Sequence, residues 1–246
     1  MQAGGSSSFL GQAGPLPFGH ALLDASHTAI SVSGMPAAPA PAAEVRMRVM
    51  VGMVRAVEEK GYANTTVADI AKAAKISRRT LYEHFVDKEA CFLAAYSMMS
   101  DGLISAVISA SRQKTDGMER LRAALVAYLD GLALQPEVAR SFLTEINAVG
   151  GHGVELRCAV NQRFAAMLAD LVTESVGPAG TKLDDGRILN DFDATAALAL
   201  VGAINEVVLQ AMVNGPADTV PVRLSRLVDP VNDLSERILW GQPTLA

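Results

Sequence analysis

The chain has 246 residues, half of them apolar, and a formal net charge of −5. This length allows one or two domains with a sizeable core, and the acidic balance excludes a protein that coats nucleic acid or membranes non-specifically. Two cysteines exclude a disulfide scaffold, and no uninterrupted apolar run approaches the roughly 18 residues that span a bilayer, so we expect a cytoplasmic protein without a membrane partner.

The first segment, residues 1–43, is rich in Gly, Ala, Ser and Pro and contains no Lys or Arg. Such a segment buries too little apolar surface to offset its chain entropy, so we predict that it is disordered. Its lack of positive charge disfavours a secretory signal or an Arg-rich transit peptide. A disordered tail and a start codon assigned too far upstream account for it equally well.

A first helix is predicted from Val45 to about Lys60, with Gly61 as its C-cap. A short second helix follows. Its apolar residues have the i, i+3, i+4, i+7 spacing of one helix face: Val67, Ile70, Ala71 and Ala74. Thr66 precedes this run and Asp69 lies three residues further on, which is the spacing of a capping box.

A third helix is predicted to begin after Ser77, its candidate N-cap, because Leu81 and Phe85 form an i, i+4 apolar pair. Only Lys75 and Ile76 separate it from the second helix, so the connection is a sharp turn. Two helices joined by so short a turn form the unit that places its second helix in the DNA major groove. The sequence therefore predicts a helix-turn-helix motif at about residues 66–85.

The charge distribution supports this interpretation. From Lys72 to Lys88 there are five basic residues against two acidic ones, a net charge of +3 in an otherwise acidic chain. A local positive patch is typical of a phosphate-binding surface. Tyr82 and His84 add hydrogen-bonding groups to rings that can lie against a sugar-phosphate strand.

These segments resemble a known family. The sequence TLYEHFVDKEACF, preceded by VADIAKAAKISRR and EKGYANTT, is similar to the DNA-binding domain of TetR-type regulators over about residues 44–99. The resemblance implies an all-α fold, with a three-helix DNA-binding domain in residues 44–90 and a larger helical effector-binding and dimerisation domain in residues 91–246.

By this resemblance, nine residues are expected to contact double-stranded DNA: Thr66, Lys75, Ser77, Arg78, Arg79, Thr80, Tyr82, His84 and Lys88. Arginine can bond guanine bidentately, while an ordinary solvated helix start is the alternative for Arg78 and Arg79. Family members usually have glycine in the turn where this chain has Lys75. A lysine there must adopt a left-handed conformation or reshape the turn, at a cost of about 1 kcal/mol.

Beyond residue 111, the pattern predicts helices at 117–134, 136–149, 152–176, 193–213 and about 229–240, with Asp229 as the N-cap of the last and a polar loop at 177–187. The resemblance implies that the 193–213 helix and the last helix pair with those of a second subunit in a homodimer, with Leu234, Ile238 and Trp240 in the contact. Packing of the same faces within one subunit is the alternative.

A cavity for an unknown small effector is also implied by the resemblance. Its candidate lining residues are Phe92, Tyr96, Met99, Tyr128, Phe142, Phe164 and Met167, with Asn147 as a polar anchor. The alternative for each is ordinary core packing, because aromatic and methionine side chains at helical spacing usually pack inside a domain.

The resulting hypothesis is a ligand-responsive transcriptional regulator at the nucleoid, most simply a repressor that binds a palindromic operator as a dimer and is released by its effector. A regulator that activates, and an all-α adaptor that has lost operator binding, are the alternatives. No catalytic, metal or cofactor motif is present in the sequence, so we expect no enzyme activity, metal or cofactor. Cys91 and Cys158 are expected to be buried, inert thiols.

Overall fold

A computed structural model describes residues 40–183 and 185–241. The N-terminal part forms α1 (Ala40–Asn64), α2 (Val67–Ala74), α3 (Arg78–His84) and α4 (Lys88–Arg112). The remainder forms α5 (Gly117–Leu134), α6 (Pro136–Glu145), α7 (Gly151–Ser175), α8 (Ala194–Val213), α9 (Val220–Ser225) and α10 (Val228–Leu239). Short 3-10 helices occupy Ile146–Val149 and Ala217–Thr219. The predicted all-α architecture is confirmed.

A short antiparallel sheet was not expected from the sequence. Two-residue strands β1 (Ile188–Leu189) and β2 (Trp240–Gly241) join the loop after α7 to the end of α10. Trp240 is buried there within its own subunit, and the Arg187 guanidinium lies 5.1 Å from the centre of its ring. The expectation that Trp240 contributes to a subunit contact is therefore wrong, because intramolecular packing already covers this ring.

The helix boundaries differ from the sequence expectations in three places. The first helix begins at Ala40, inside the segment expected to be a tail, since alanine favours helix; residues 1–39 of that segment lie outside the described residues. The helix predicted to run to residue 149 changes to a 3-10 turn after Glu145. Helix α10 begins one residue before Asp229, so Asp229 lies in its first turn and is not its N-cap.

The first three helices form a compact unit because α1 packs directly on α2. At the crossing point, a Cβ on Gly52 would lie 2.7 Å from Ala74 Cβ and 2.9 Å from Ile70 O, so only glycine allows this approach. Gly61 interrupts α1 with φ 73° and ψ 161°, outside the helical region. The regular helix is therefore interrupted at Gly61, where its C-cap was predicted, and the turn that follows leads into α2.

Two helices are long and apolar enough to cross a membrane by length and composition alone, namely α4 and α8. The sequence was expected to contain no such segment. Core helices of globular proteins meet the same criterion, and 44% of the apolar window in α4 is buried inside the protein. In α8 only 28% is buried, so much of this apolar helix has no intramolecular cover.

The two cysteines differ in environment. Cys91 is buried beneath α1, and burial raises the pKa of its thiol to about 12. A thiol with so high a pKa is unreactive at neutral pH, as expected. Cys158 lies on the exposed face of α7, so the expectation that it is buried is wrong.

Candidate nucleic-acid interface and cavity

Helix α3 has one buried and one exposed face. Leu81 and the following Phe85 are buried against the other helices. On the opposite face, the Arg79 side chain is 90% exposed and Tyr82 is 55% exposed, and Arg78 is exposed beside them. A short helix fixed by its apolar side thus presents two guanidinium groups and a phenol to solvent.

The turn before α3 is unusual in its backbone. Lys75 has φ 56° and ψ 46°, which is the left-handed conformation that the sequence analysis gave as one of two possibilities. It is the C-cap of α2, and its backbone N–H donates to the carbonyl groups of Ala71 and Lys72. The exposed Lys75 side chain therefore extends from the tight turn beside α3.

Two arginines of α1 fix the ends of the motif helices. Arg48 Nη2 donates to Ala74 O at 3.1 Å and to Lys75 O at 3.0 Å. Arg46 Nη1 donates to His84 O at 2.8 Å, and its guanidinium lies 4.2 Å from the centre of the Phe85 ring. Both helices thereby gain partners for C-terminal carbonyls that lack helical hydrogen bonds. Sequence reasoning missed both residues, because no local pattern links them to carbonyls 26 or more positions away.

The hydroxyl groups near the motif are helix caps. Thr66 Oγ1 accepts from Asp69 N, and the Thr66 backbone N–H donates to the Asp69 carboxylate at 2.9 Å, which confirms the capping box. Ser77 Oγ accepts from Thr80 N at 3.0 Å, which confirms it as the N-cap of α3. Thr66 and Ser77 are both exposed, so each residue combines a capping role with access to solvent.

Asp69 is further stabilised in its charged form. Lys60 Nζ donates to Asp69 Oδ1 at 2.6 Å, and together with the Thr66 hydrogen bonds this holds the pKa of Asp69 well below its usual value of 3.8. The same contact raises the pKa of Lys60. The start of α2 is thus tied to the end of α1 by a charged pair.

Lys88 differs from the other predicted DNA contacts. Its ammonium donates to Tyr62 O at 3.0 Å and lies 4.2 Å from the centre of the Tyr62 ring. The side chain is half-buried, and so are those of Thr80 and His84. Lys88 therefore holds the turn after α1 as well as opening α4, and two of its three N–H groups remain available.

An aromatic cluster lies at the junction between the motif and the larger domain. Phe92 packs against Tyr62 with ring centres 4.2 Å apart and against Phe142 at 5.1 Å. Tyr96 packs edge-on against Phe142 at 5.5 Å. Phe92, Tyr96 and Phe142 were expected to line an effector cavity, and they instead form this junction core because their helices meet α1 there.

A cavity of about 90 Å³ lies elsewhere, between α5, α7, α8 and α10. Of the expected lining residues, Tyr128, Phe164 and Met167 do contribute to its wall. Met99 does not, and Asn147 is exposed on the 3-10 turn, where it accepts a hydrogen bond from Arg157 at 3.2 Å. Asn147 is therefore not a polar anchor, because it lies at the protein surface.

The polar group in the cavity wall that sequence reasoning missed is Asn205. Tyr128 Oη donates to Asn205 Oδ1 at 2.7 Å, and Asn205 Nδ2 donates to Asn161 Oδ1 at 3.1 Å. Burial raises the pKa of Tyr128, so its phenol stays protonated. An asparagine on the apolar face of α8 was the available sequence signal.

The sequence model described as "Bacterial regulatory proteins, tetR family" matches residues 54–95, which include the helix-turn-helix motif. Over these residues the chain is similar to the TetR family. The HTH-type transcriptional activator FasR of Mycolicibacterium smegmatis is 34% identical over 90 residues. This match covers 37% of the present chain and only 41% of that relative.

Solved structures of TetR-family proteins share the fold. A regulator from Pectobacterium atrosepticum aligns with a TM-score of 0.63 at 22% identity and covers 84% of this chain and all of that one. FadR of Bacillus subtilis, solved in complex with stearoyl-CoA, aligns with a TM-score of 0.59 at 18% identity over 76% and 96% of the two chains. At these identities the likeness concerns the fold, which includes the helical domain after α3.

Proposed function

We propose that this chain is a dimeric, TetR-type transcriptional regulator whose α3 binds operator DNA in the major groove. The observation that carries the proposal is the exposure of Arg78, Arg79 and Tyr82 on a helix anchored from behind by Leu81. A guanidinium can bond guanine O6 and N7 bidentately, so Arg78 and Arg79 are the groups for base edges.

The surrounding residues suit the phosphate strands. Lys75 carries its ammonium beside the start of α3, and Thr66 and Ser77 present exposed hydroxyl groups. Tyr82, Thr80, His84 and the free N–H groups of Lys88 complete the proposed contact set. Phosphate contacts fix the position of a protein on the duplex, while base contacts give sequence preference.

Dimerisation is proposed through α8 and α10. Leu198, Val207 and Val213 on α8 are 39%, 37% and 45% exposed, and a Cβ on Gly202 would meet nothing within 4 Å. An exposed stripe of apolar and small residues is the type of surface that a second helix covers closely. A two-fold axis there would present two α3 helices to half-sites of a palindrome.

In this proposal a small effector occupies the cavity between α5, α7, α8 and α10 and lowers operator affinity. An effector changes DNA binding only if it binds one arrangement of the dimer more tightly than the other. The complex of Bacillus subtilis FadR with stearoyl-CoA makes a ligand with an aliphatic chain one candidate class. The mainly apolar wall of the cavity is compatible with an aliphatic chain.

We propose that the protein represses transcription, as expected from the sequence. Activation is a second candidate, favoured by the description of the Mycolicibacterium relative as a transcriptional activator. An adaptor without operator binding is disfavoured, because nothing within the described residues covers the cationic face of α3.

The experiment is to select DNA fragments bound by the full-length protein from a random pool and to sequence them. A palindromic consensus, bound by a dimer with affinity that falls steeply with salt, is the expected result. If the folded dimer enriches no DNA sequence, operator binding is contradicted and the adaptor hypothesis remains. A reporter fused to the selected site, with and without the protein, then distinguishes repression from activation.

A further inference from the structure

The cavity between α5, α7, α8 and α10 has a distinctive distribution of polarity. Its wall is aliphatic and aromatic over most of its extent, and on α5 it runs from Met118 to Tyr128. Ten residues of helix correspond to about 15 Å, so the cavity is elongated along α5. An extended aliphatic chain matches this shape better than a compact ring system.

The charges at the wall exclude one class of ligand. Among the residues that the structure describes, no Lys or Arg lines the cavity, and the acidic side chain that does so is Glu236. Its carboxylate already accepts from Arg187 Nη1 at 3.2 Å and from Asn232 Nδ2 at 2.9 Å. An anionic ligand would lose its hydration without gaining a cationic partner from the cavity wall.

Tyr128 and Asn205, which are linked by hydrogen bonds to each other and to Asn161, still have unused hydrogen-bonding capacity. The Tyr128 oxygen donates its proton to Asn205 and can still accept, and the Asn205 amide keeps a second N–H that can donate. Tyr128 and Asn205 both lie in the cavity wall. A ligand group that donates to the phenol and accepts from the amide satisfies both, and a neutral hydroxyl does this.

We propose, on the basis of the regulatory function proposed above, that the effector is an uncharged aliphatic molecule whose hydroxyl group bonds Tyr128 and Asn205. The aliphatic part lies along α5 and α7, and the two polar side chains determine which ligands bind. Removal of either polar group takes away one of the two hydrogen-bond partners of the ligand hydroxyl and therefore reduces the preference for a hydroxyl.

The test uses the full-length protein and three probes with the same chain: decanol, decanoate and methyl decyl ether. Calorimetric titration at neutral pH is expected to give decanol an affinity more than about tenfold higher than that of decanoate. Tyr128→Phe is expected to weaken decanol about fivefold and to change ether binding less than about twofold. Met167→Leu, a change in the apolar wall, is the matched control and should affect alcohol and ether equally.

Three results overturn the inference: decanoate binds as tightly as decanol, Tyr128→Phe weakens alcohol and ether alike, or none of the probes binds. Asn205→Ser provides the same comparison if Tyr128→Phe fails to fold by circular dichroism. Operator selection is measured separately on the unliganded protein, so a failed ligand assay leaves operator binding intact. Loss of operator binding with normal probe titrations contradicts the regulatory function instead.

Discussion

The carboxylate of Glu145 accepts hydrogen bonds from the backbone N–H groups of Ala63 at 2.9 Å and Tyr62 at 3.3 Å. Glu145 is the last residue of α6, and the two N–H groups belong to the turn that follows Gly61. Gly61 has φ 73°, and a Cβ there would lie 3.4 Å from Glu145 Oε1. Helix α6 therefore holds the entry to the helix-turn-helix motif through one side chain.

Glu145→Ala is expected to lower the free energy of unfolding by about 1–2 kcal/mol, because two backbone donors lose a charged acceptor. The gain from removing an anion at the C-terminal end of α6 partly offsets this loss. Chemical denaturation measures the change, and operator titration is expected to show weaker binding because the entry to α2 is less restrained.

Glu137→Ala is the matched control for this variant. Glu137 lies on the same helix and its carboxylate bonds Arg140 within one turn. It should leave operator binding unchanged. Equal effects of the two variants on operator affinity would contradict a link between the domains through Glu145.

Lys75→Gly is expected to stabilise the protein by about 1 kcal/mol, because glycine adopts the left-handed conformation of this turn without the penalty of a side chain. The same change removes a proposed phosphate contact, so the dependence of log affinity on log salt should become shallower by about one unit. Thermal denaturation and operator titration at several salt concentrations measure the two effects.

Lys72→Gly is the control, since Lys72 lies within the last turn of α2. Glycine at a helical position costs about 1 kcal/mol, so stability should change in the opposite direction. A stability loss in both variants would show that the backbone of the turn is not strained at Lys75.

The motif could be predicted from sequence because its signals are local. Thr66 with Asp69, Ser77 before α3, and the two-residue turn at Lys75 each involve neighbours within a few positions. The cavity could not be predicted in the same way. Phe92, Phe142 and Phe164 are all phenylalanines within predicted helices, and nothing local in the sequence distinguishes them. Only the packing of α4 and α6 against α1 decides which rings form the junction and which face the cavity.

Long-range polar contacts escaped the sequence for the same reason. No local pattern distinguishes Arg46 and Arg48 from other residues at a helix start, because their carbonyl partners are defined only after α1 crosses the motif. No local pattern marks Asn205 as a hydrogen-bond partner, because Tyr128 is 77 positions away in the chain.

Arg48→Ala is expected to reduce the free energy of unfolding by about 1–3 kcal/mol, because two C-terminal carbonyls of α2 lose a charged donor. The turn at Lys75 should also become more mobile, which amide hydrogen exchange in residues 74–77 would detect. Arg55→Ala, on the exposed face of the same helix, is the control and should change stability by less than about 0.5 kcal/mol.

The Asp69 carboxylate predicts a pH dependence of stability. Its pKa in the folded protein lies below the ordinary value of 3.8, because Lys60 and Thr66 bond its charged form. Stabilisation is therefore present above about pH 4 and is lost as the pH falls towards the folded-state pKa. Denaturation of the wild type and Asp69→Asn at pH 7 and pH 3 should show a stability difference that shrinks at the lower pH.

Lys60→Met tests the cause of this effect. It removes the main hydrogen-bond partner of Asp69 and should reduce the difference in stability between pH 7 and pH 3. In the double variant, Lys60→Met should add little to the destabilisation that Asp69→Asn already causes. An undiminished pH dependence in Lys60→Met would assign the effect to Thr66 alone.

Arg79→Ala separates DNA binding from stability. The Arg79–Glu83 contact of 3.3 Å is exposed, and exposed ion pairs contribute little, so the free energy of unfolding should change by less than about 0.5 kcal/mol. If Arg79 bonds a base edge, operator affinity should fall by about 1–3 kcal/mol and the base preference at one position of each half-site should relax. Selection from a random pool with the variant and with Arg55→Ala gives the comparison. An unchanged consensus for Arg79→Ala, with only a uniform loss of affinity, would place its guanidinium on a phosphate and leave base recognition to Arg78.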